Sequence, residues 1–178
     1  MSESLADDGR ADHLSAGTPM PAIALASTSG GAIDLSRAAG RAVVFCYPWT
    51  GRPGLPNPPR WDDIPGAHGS TPQAMAFRDL HGAFVKRGIA VFGLSTQATD
   101  YQQELVSRLG LPFALLSDAG FAFQKALRLP TFETGGVTYL TRLTLLVADG
   151  ILVDRVYPVD APERNAAAVL AHTGGSGG

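Results

Sequence analysis

One cysteine, Cys46, in 178 residues leaves this chain without the pair an internal disulfide needs and with too few thiols for a structural zinc site. Charge of one sign is also scarce. Fourteen basic residues stand against sixteen acidic ones, for a net charge of −2, and no basic cluster exceeds isolated pairs such as Lys86-Arg87. An electrostatic nucleic-acid footprint is thereby excluded. No apolar run approaches the roughly 18 residues of a membrane span. Met1 to Arg10 carries acids where a secretion signal would carry positive charge, so a cytoplasmic protein is expected. No ligand cluster of established spacing occurs either; Asp62 and Asp63 with His68 match none, so neither a metal nor an organic cofactor is expected.

What is present describes one globular α/β domain: 45% apolar and 17% charged residues in a length that suits one core and not two. Residues 1–21, rich in Ala, Ser, Asp and Gly, read as a mobile arm, residues 22–172 as the domain, and 173–178 as a flexible Gly/Ser tail, natural or added in the laboratory.

Ala42 to Tyr47 is an unbroken apolar and β-branched run, as a strand buried on both faces requires, and Pro48 stops it. Trp49 to Gly69 holds five prolines and four glycines, which no helix or strand tolerates. An irregular stretch of that length is a candidate substrate-binding loop or lid. A helix is predicted from Ser70 to Arg87, with hydroxyl residues and Pro72 at its start and Gly88 at its stop. A strand (Ile89 to Leu94), a helix (Thr99 to Leu109), a short strand (Phe113 to Leu116) and a helix (Phe121 to Arg128) follow. Tyr139 to Ala148 and Ile151 to Tyr157 then flank Asp149-Gly150, a strong hairpin signal, before a last helix from Ala161 to His172. The order gives a central mixed sheet with helices on both faces, the thioredoxin plan with an insertion.

Three segments stand out: Val43-Val44-Phe45-Cys46-Tyr47-Pro48, the run from Gly69-Ser70-Thr71-Pro72-Gln73 to Arg78-Asp79, and Thr141-Arg142 through Asp149-Gly150. Together they resemble the peroxiredoxins, the redoxin and alkyl hydroperoxide reductase group, and within it the bacterioferritin-comigratory branch. The resemblance implies a thiol-dependent hydroperoxide reductase acting on a small-molecule substrate with a thiol reductant, commonly a homodimer. It puts the attacking cysteine's position at Ser70 and the resolving position at Met75. Arg142 would stabilise the anion, Thr50 would supply a hydroxyl if the loop folds back, and Pro48, Trp49, His68 and Thr71 would shape the substrate pocket. The sequence departs from the family where Ala67 falls in register with its threonine and Thr141 replaces its proline.

Only a thiolate among side chains can attack a peroxide and leave as a sulfenic acid. A hydroxyl at position 70 therefore predicts a chain inactive as a peroxidase. Three readings of Ser70 stay open: a deliberate cysteine-to-serine replacement, a natural divergence to a biosynthetic enzyme or binding protein using a Ser70/Arg142 pocket without thiol chemistry, and a plain helix cap accepting from the N–H of Gln73. Cys46 reads as a buried small hydrophobe, with a free thiol at the mouth of that pocket as the alternative.

Overall fold

The computed structural model describes residues 5–174. A hairpin of β1 (Ala24–Ser27) and β2 (Ala32–Asp34) precedes β3 (Arg41–Cys46), after which the long irregular segment leads into α1 (Ser70–Lys86). Then come β4 (Ile89–Ser95), α2 (Thr99–Leu109), β5 (Ala114–Ser117), α3 (Ala122–Leu127), the hairpin β6 (Thr131–Thr134) and β7 (Val137–Leu140), the hairpin β8 (Leu143–Ala148) and β9 (Ile151–Val156), and α4 (Pro162–Gly174). The main sheet runs β2-β1-β5-β4-β3-β8-β9. Within it β3 lies parallel to β4 and antiparallel to β8, so the expected mixed sheet with helices on both faces is present.

Strand alternation sorts the core into two layers. Val43, Phe45 and Tyr47 project toward α1, α2 and α4, packing with Phe77, Phe84, Leu105 and Val169. Val44 and Cys46 project to the other side, among Leu94, Phe123, Leu143 and Leu145. The parity of β3 thus puts the lone thiol on the sheet face opposite α1.

Asp149 and Gly150 both adopt positive φ, 49° and 77°, the turn expected between β8 and β9. A Cβ on Gly150 would lie 2.4 Å from the carbonyl oxygen of Ser36, so only glycine fits there.

Two expectations are corrected. Residues 5–21 are not a mobile arm: Ala11, Leu14 and Met20 are buried in the Cys46 layer, and Pro19 bridges to Ile151. The sequence misleads because these apolar residues follow no helical or strand period. Nor do residues 139–148 form one strand. Thr141 and Arg142 interrupt it, separating β7, which pairs with β6, from β8, which pairs with β3. The segment 1–4 and the last four residues of the Gly/Ser tail lie outside the described residues.

The N-terminal stretch is tied down by charge. Tyr157 donates to Asp8 at 2.6 Å, and Arg10 holds the same carboxylate at 2.7 Å. The Tyr157 hydrogen bond, seconded by Arg10, lowers the Asp8 pKa from its ordinary 3.8 to about 2. A depressed carboxyl stabilises the fold above its unfolded pKa and loses that contribution as pH falls through the folded one. Unfolding midpoints in urea should therefore decline between pH 4 and pH 2, and Tyr157→Phe should flatten that decline. An unchanged acid limb in the variant would remove Asp8 as its cause.

Candidate active site

Antiparallel pairing sets Leu143 beside Cys46, which brings Arg142 next to the outgoing end of β3, where Pro48 turns the chain away. The start of α1 lies at the same end of the sheet. Ligands of open α/β sheets collect at such strand ends.

Ser70 is the first helical residue of α1, not its cap. Gly69 is the cap, at φ 109°, and its carbonyl accepts the first helical bond from the N–H of Gln73 at 2.9 Å. The expected Ser70–Gln73 cap bond is thus replaced by a main-chain one, because Gly69 takes up a left-handed turn that a residue with a side chain resists. Ser70 is 4% exposed, and its Oγ has no hydrogen-bond partner among the described residues. The N–H groups of Ser70 and Thr71 lie ahead of the first helical bond, which makes this end electropositive. Gly69 is irreplaceable on a second count: a Cβ there would sit 2.7 Å from Cγ of Pro162 at the head of α4. Gly69→Ala is expected to cost about 3 kcal/mol through left-handed strain and overlap together. Chemical denaturation checks this; an unshifted midpoint would show that the turn relaxes freely.

A cavity of about 540 Å³ opens at this helix end, walled by Trp49, Thr50, Trp61, His68, Ser70 and Thr71 among others. The 49–69 segment therefore does build a pocket. Three aromatic contacts fix it: Trp61 packs at centroid distances of 5.6 Å on Trp49, 5.6 Å on Phe132 and 5.2 Å on Tyr139, so the β6–β7 hairpin buttresses the loop. Thr50 is held from the opposite side. Gln97 Nε2 donates to its carbonyl at 3.2 Å and the Tyr101 hydroxyl donates to the same oxygen at 2.8 Å.

Arg142 does not share that cavity. It is 3% exposed, and it lines a second cavity of about 760 Å³ behind the loop. Its Nη1 donates to Gln73 Oε1 at 2.6 Å, and Nη2 reaches the carbonyls of Gly66, Ala67 and His68 at 3.1–3.3 Å. Segment 66–69 thus separates Ser70 from Arg142, and His68 lines both cavities. The reason is geometric: three carbonyls of one turn converge on a single guanidinium amino group, Nη2, while Nη1 serves Gln73 and Nε has no hydrogen-bond partner among the described residues. Burial lowers the Arg142 pKa to about 10, which keeps the guanidinium charged at neutral pH. Among the described residues no carboxylate lies within ion-pair reach of it.

The remaining predicted residues sort by position. His68 pairs with Asp62 through its ring and stays half-exposed. Pro48 does not reach the wall of either cavity. Met75, 36% exposed, lies five residues along α1 from Ser70, about 140° around the axis, and so faces elsewhere. Cys46 is 1% exposed, away from both cavities, and burial pushes its thiol pKa strongly up.

Sequence reasoning missed the buried relay behind Arg142. Gln73, fully buried, donates from Nε2 to Asn165 Oδ1 at 3.0 Å, and that oxygen also accepts from Thr144 at 2.8 Å. The signal lay in Gln73 and Thr144, both within the resembling segments, and Asn165 lay outside them. Arg52 and Arg108, on the wall of the first cavity, were also missed.

Comparison with known proteins bears on the family and the fold. A family model described as Redoxin matches residues 15–170. Chloroplastic peroxiredoxin Q of Oryza sativa subsp. japonica is 35% identical over 118 residues, 66% of this chain and 48% of the relative. The chain spans about half the length of the curated relatives it matches first. Among solved structures, the Xanthomonas campestris bacterioferritin comigratory protein, described for alkyl peroxide reduction, superposes with a TM-score of 0.70 at 25% identity, over 88% of this chain and 96% of that one. Peroxidoxin BcpB of Mycobacterium tuberculosis shares the fold, with a TM-score of 0.73 at 21% identity over 92% and 99% of the two chains.

Proposed function

This chain belongs to the redoxin family, the peroxiredoxins, and we propose that the cavity at the start of α1 is its hydroperoxide site, with Ser70 standing where the attacking cysteine belongs. The observation that carries this reading is the unpartnered Ser70 Oγ, buried on a cavity wall in the first turn of a 17-residue helix.

A thiolate there would attack the terminal peroxide oxygen. The S–O bond forms as the O–O bond breaks, the alkoxide leaves and takes up a proton, and a thiol reductant returns the sulfenic acid to thiol. Donors at the helix start favour the thiolate over the thiol. Ser70 cannot enter this sequence. Its hydroxyl is too weak an acid to ionise on a helix terminus, and no base contacts it among the described residues. Cys46 cannot substitute, being on the far face of the sheet with its thiol held protonated by burial. The chain with Ser70 is therefore a peroxide pocket without a nucleophile.

The test is hydroperoxide consumption with dithiothreitol as reductant. Background turnover is expected for the chain as it stands, marked turnover for Ser70→Cys, and the same turnover for Ser70→Cys with Cys46→Ala. A folded but inert Ser70→Cys protein would refute the assignment, as would turnover by the Ser70 chain that Cys46→Ala leaves intact.

A further inference from the structure

The cavity beside Ser70 is much larger than a hydroperoxide group requires, since about 540 Å³ lies in the range of sites for whole small molecules. Its walls are of two kinds. Trp49, half-buried, presents aromatic surface, and Trp61, 3% exposed, backs it at 69° with centroids 5.6 Å apart. Arg52 and Arg108 present guanidinium groups over a single carboxylate, Glu104, with Arg52 Nε 3.6 Å and Arg108 Nε 2.8 Å from its oxygens. Two cations against one anion leave one positive charge, at the same cavity as the open N–H groups of α1.

Both guanidinium groups are held in place. Arg52 lies over the Tyr101 ring at 4.0 Å, and Arg108 donates to the carbonyl of Gly51 at 2.9 Å. Ser70 Oγ is buried at this cavity with no hydrogen-bond partner, and Arg52 Nε faces Glu104 Oε2 at 3.6 Å, beyond hydrogen-bond length. A buried hydroxyl so placed is costly unless something pairs with it.

We propose that this cavity selects a small aromatic monocarboxylate, so that the hydroperoxide it serves carries an aryl ring and one carboxylate. The ring meets Trp49 where Trp61 backs it, and the carboxylate meets Arg52, Arg108 and the start of α1. This rests on the cavity being the substrate site, and it adds the substrate's chemical class. Aromatic contact and charge pairing each supply part of the selectivity, since neither Trp can hold an anion and neither Arg requires a ring.

The two tryptophans of the chain are both in this wall, so intrinsic fluorescence reads the site directly. Titration of the full chain with phenylacetate is expected to give a saturable change, about tenfold tighter than with the neutral isostere phenylacetamide and than with acetate. Arg52→Gln and Arg108→Gln should each erase most of the preference for phenylacetate over phenylacetamide. Equal binding of the charged and neutral rings, equal binding of acetate, or no saturation by phenylacetate would overturn the proposal. Ser70→Cys turnover with hydrogen peroxide separates the two readings. Turnover without phenylacetate binding removes the substrate class and leaves the hydroperoxide site; phenylacetate binding without turnover does the reverse.

Discussion

Ser70→Cys is expected to raise hydroperoxide consumption by on the order of 10³-fold or more, the scale on which a missing nucleophile is felt. The introduced thiol should titrate at or below about pH 7, against about 8.5 for a free cysteine. Two opposing effects decide this. Burial of position 70, 4% exposed, disfavours the thiolate, as it does for Cys46 in the same molecule. The start of α1 favours it: the Ser70 and Thr71 amides precede the first helical hydrogen bond, and a helix terminus in partly buried surroundings stabilises an anion by up to about 2 kcal/mol, more than one pKa unit. Arg52 and Arg108 at the cavity add positive potential. Cys46 has none of these donors, so the two positions form an internal contrast between a buried thiol with a helix terminus and one without. Thiolate absorbance against pH measures the shift. Stability supplies an independent readout with a definite sign. A thiol whose folded pKa is depressed contributes fully above its unfolded pKa and loses that contribution as pH falls through the folded value. The variant should therefore gain stability relative to the Ser70 chain as pH rises from about 7 to about 8.5. A thiol titrating above 8.5 would mean that burial dominates the helix terminus.

The elements that carry this site differ in how far the sequence reveals them. The β3 run, the start of α1 after a proline-rich loop, and the Asp149-Gly150 turn are local features, each fixed by residue types over a few positions, and each stands where local chemistry puts it. Segment 49–69 was legible as an irregular loop because its prolines and glycines exclude regular structure. The packing that holds it was not, because the Trp49–Trp61–Tyr139 cluster joins residues far apart in the chain. The cap reading of Ser70, one of three left open, rested on the preference of hydroxyl residues for that position, whereas the decision fell to the φ of Gly69, one residue earlier. Arg142 stands in the sequence as a charge among apolar neighbours. Three of its four partners are main-chain carbonyls, which carry no sequence identity, and the Gln73 side chain alone did not place it behind the loop instead of beside Ser70.

That placement makes Arg142 the residue on which the loop depends. Arg142→Met should lower stability by about 3 kcal/mol, because the carbonyls of Gly66, Ala67 and His68 and the Gln73 amide oxygen would all lose their donor at once while remaining largely enclosed. Three of these four partners are backbone, so no second substitution can make the gap apolar. Arg142→Lys should lose less but still a substantial part: it keeps the charge, yet a compact ammonium cannot span both Gln73 and the 66–68 turn as a guanidinium does. In the Ser70→Cys background, both variants should also raise the introduced thiol's pKa and slow peroxide consumption, since a loosened 66–68 turn no longer fixes Gly69 and the first turn of α1. Urea midpoints and the pH profile of turnover measure the two consequences separately. If Arg142→Met left the unfolding midpoint and that profile unchanged, the buried guanidinium would be a passenger in the fold, and the helix start would have to be organised by Gly69 and Pro162 alone.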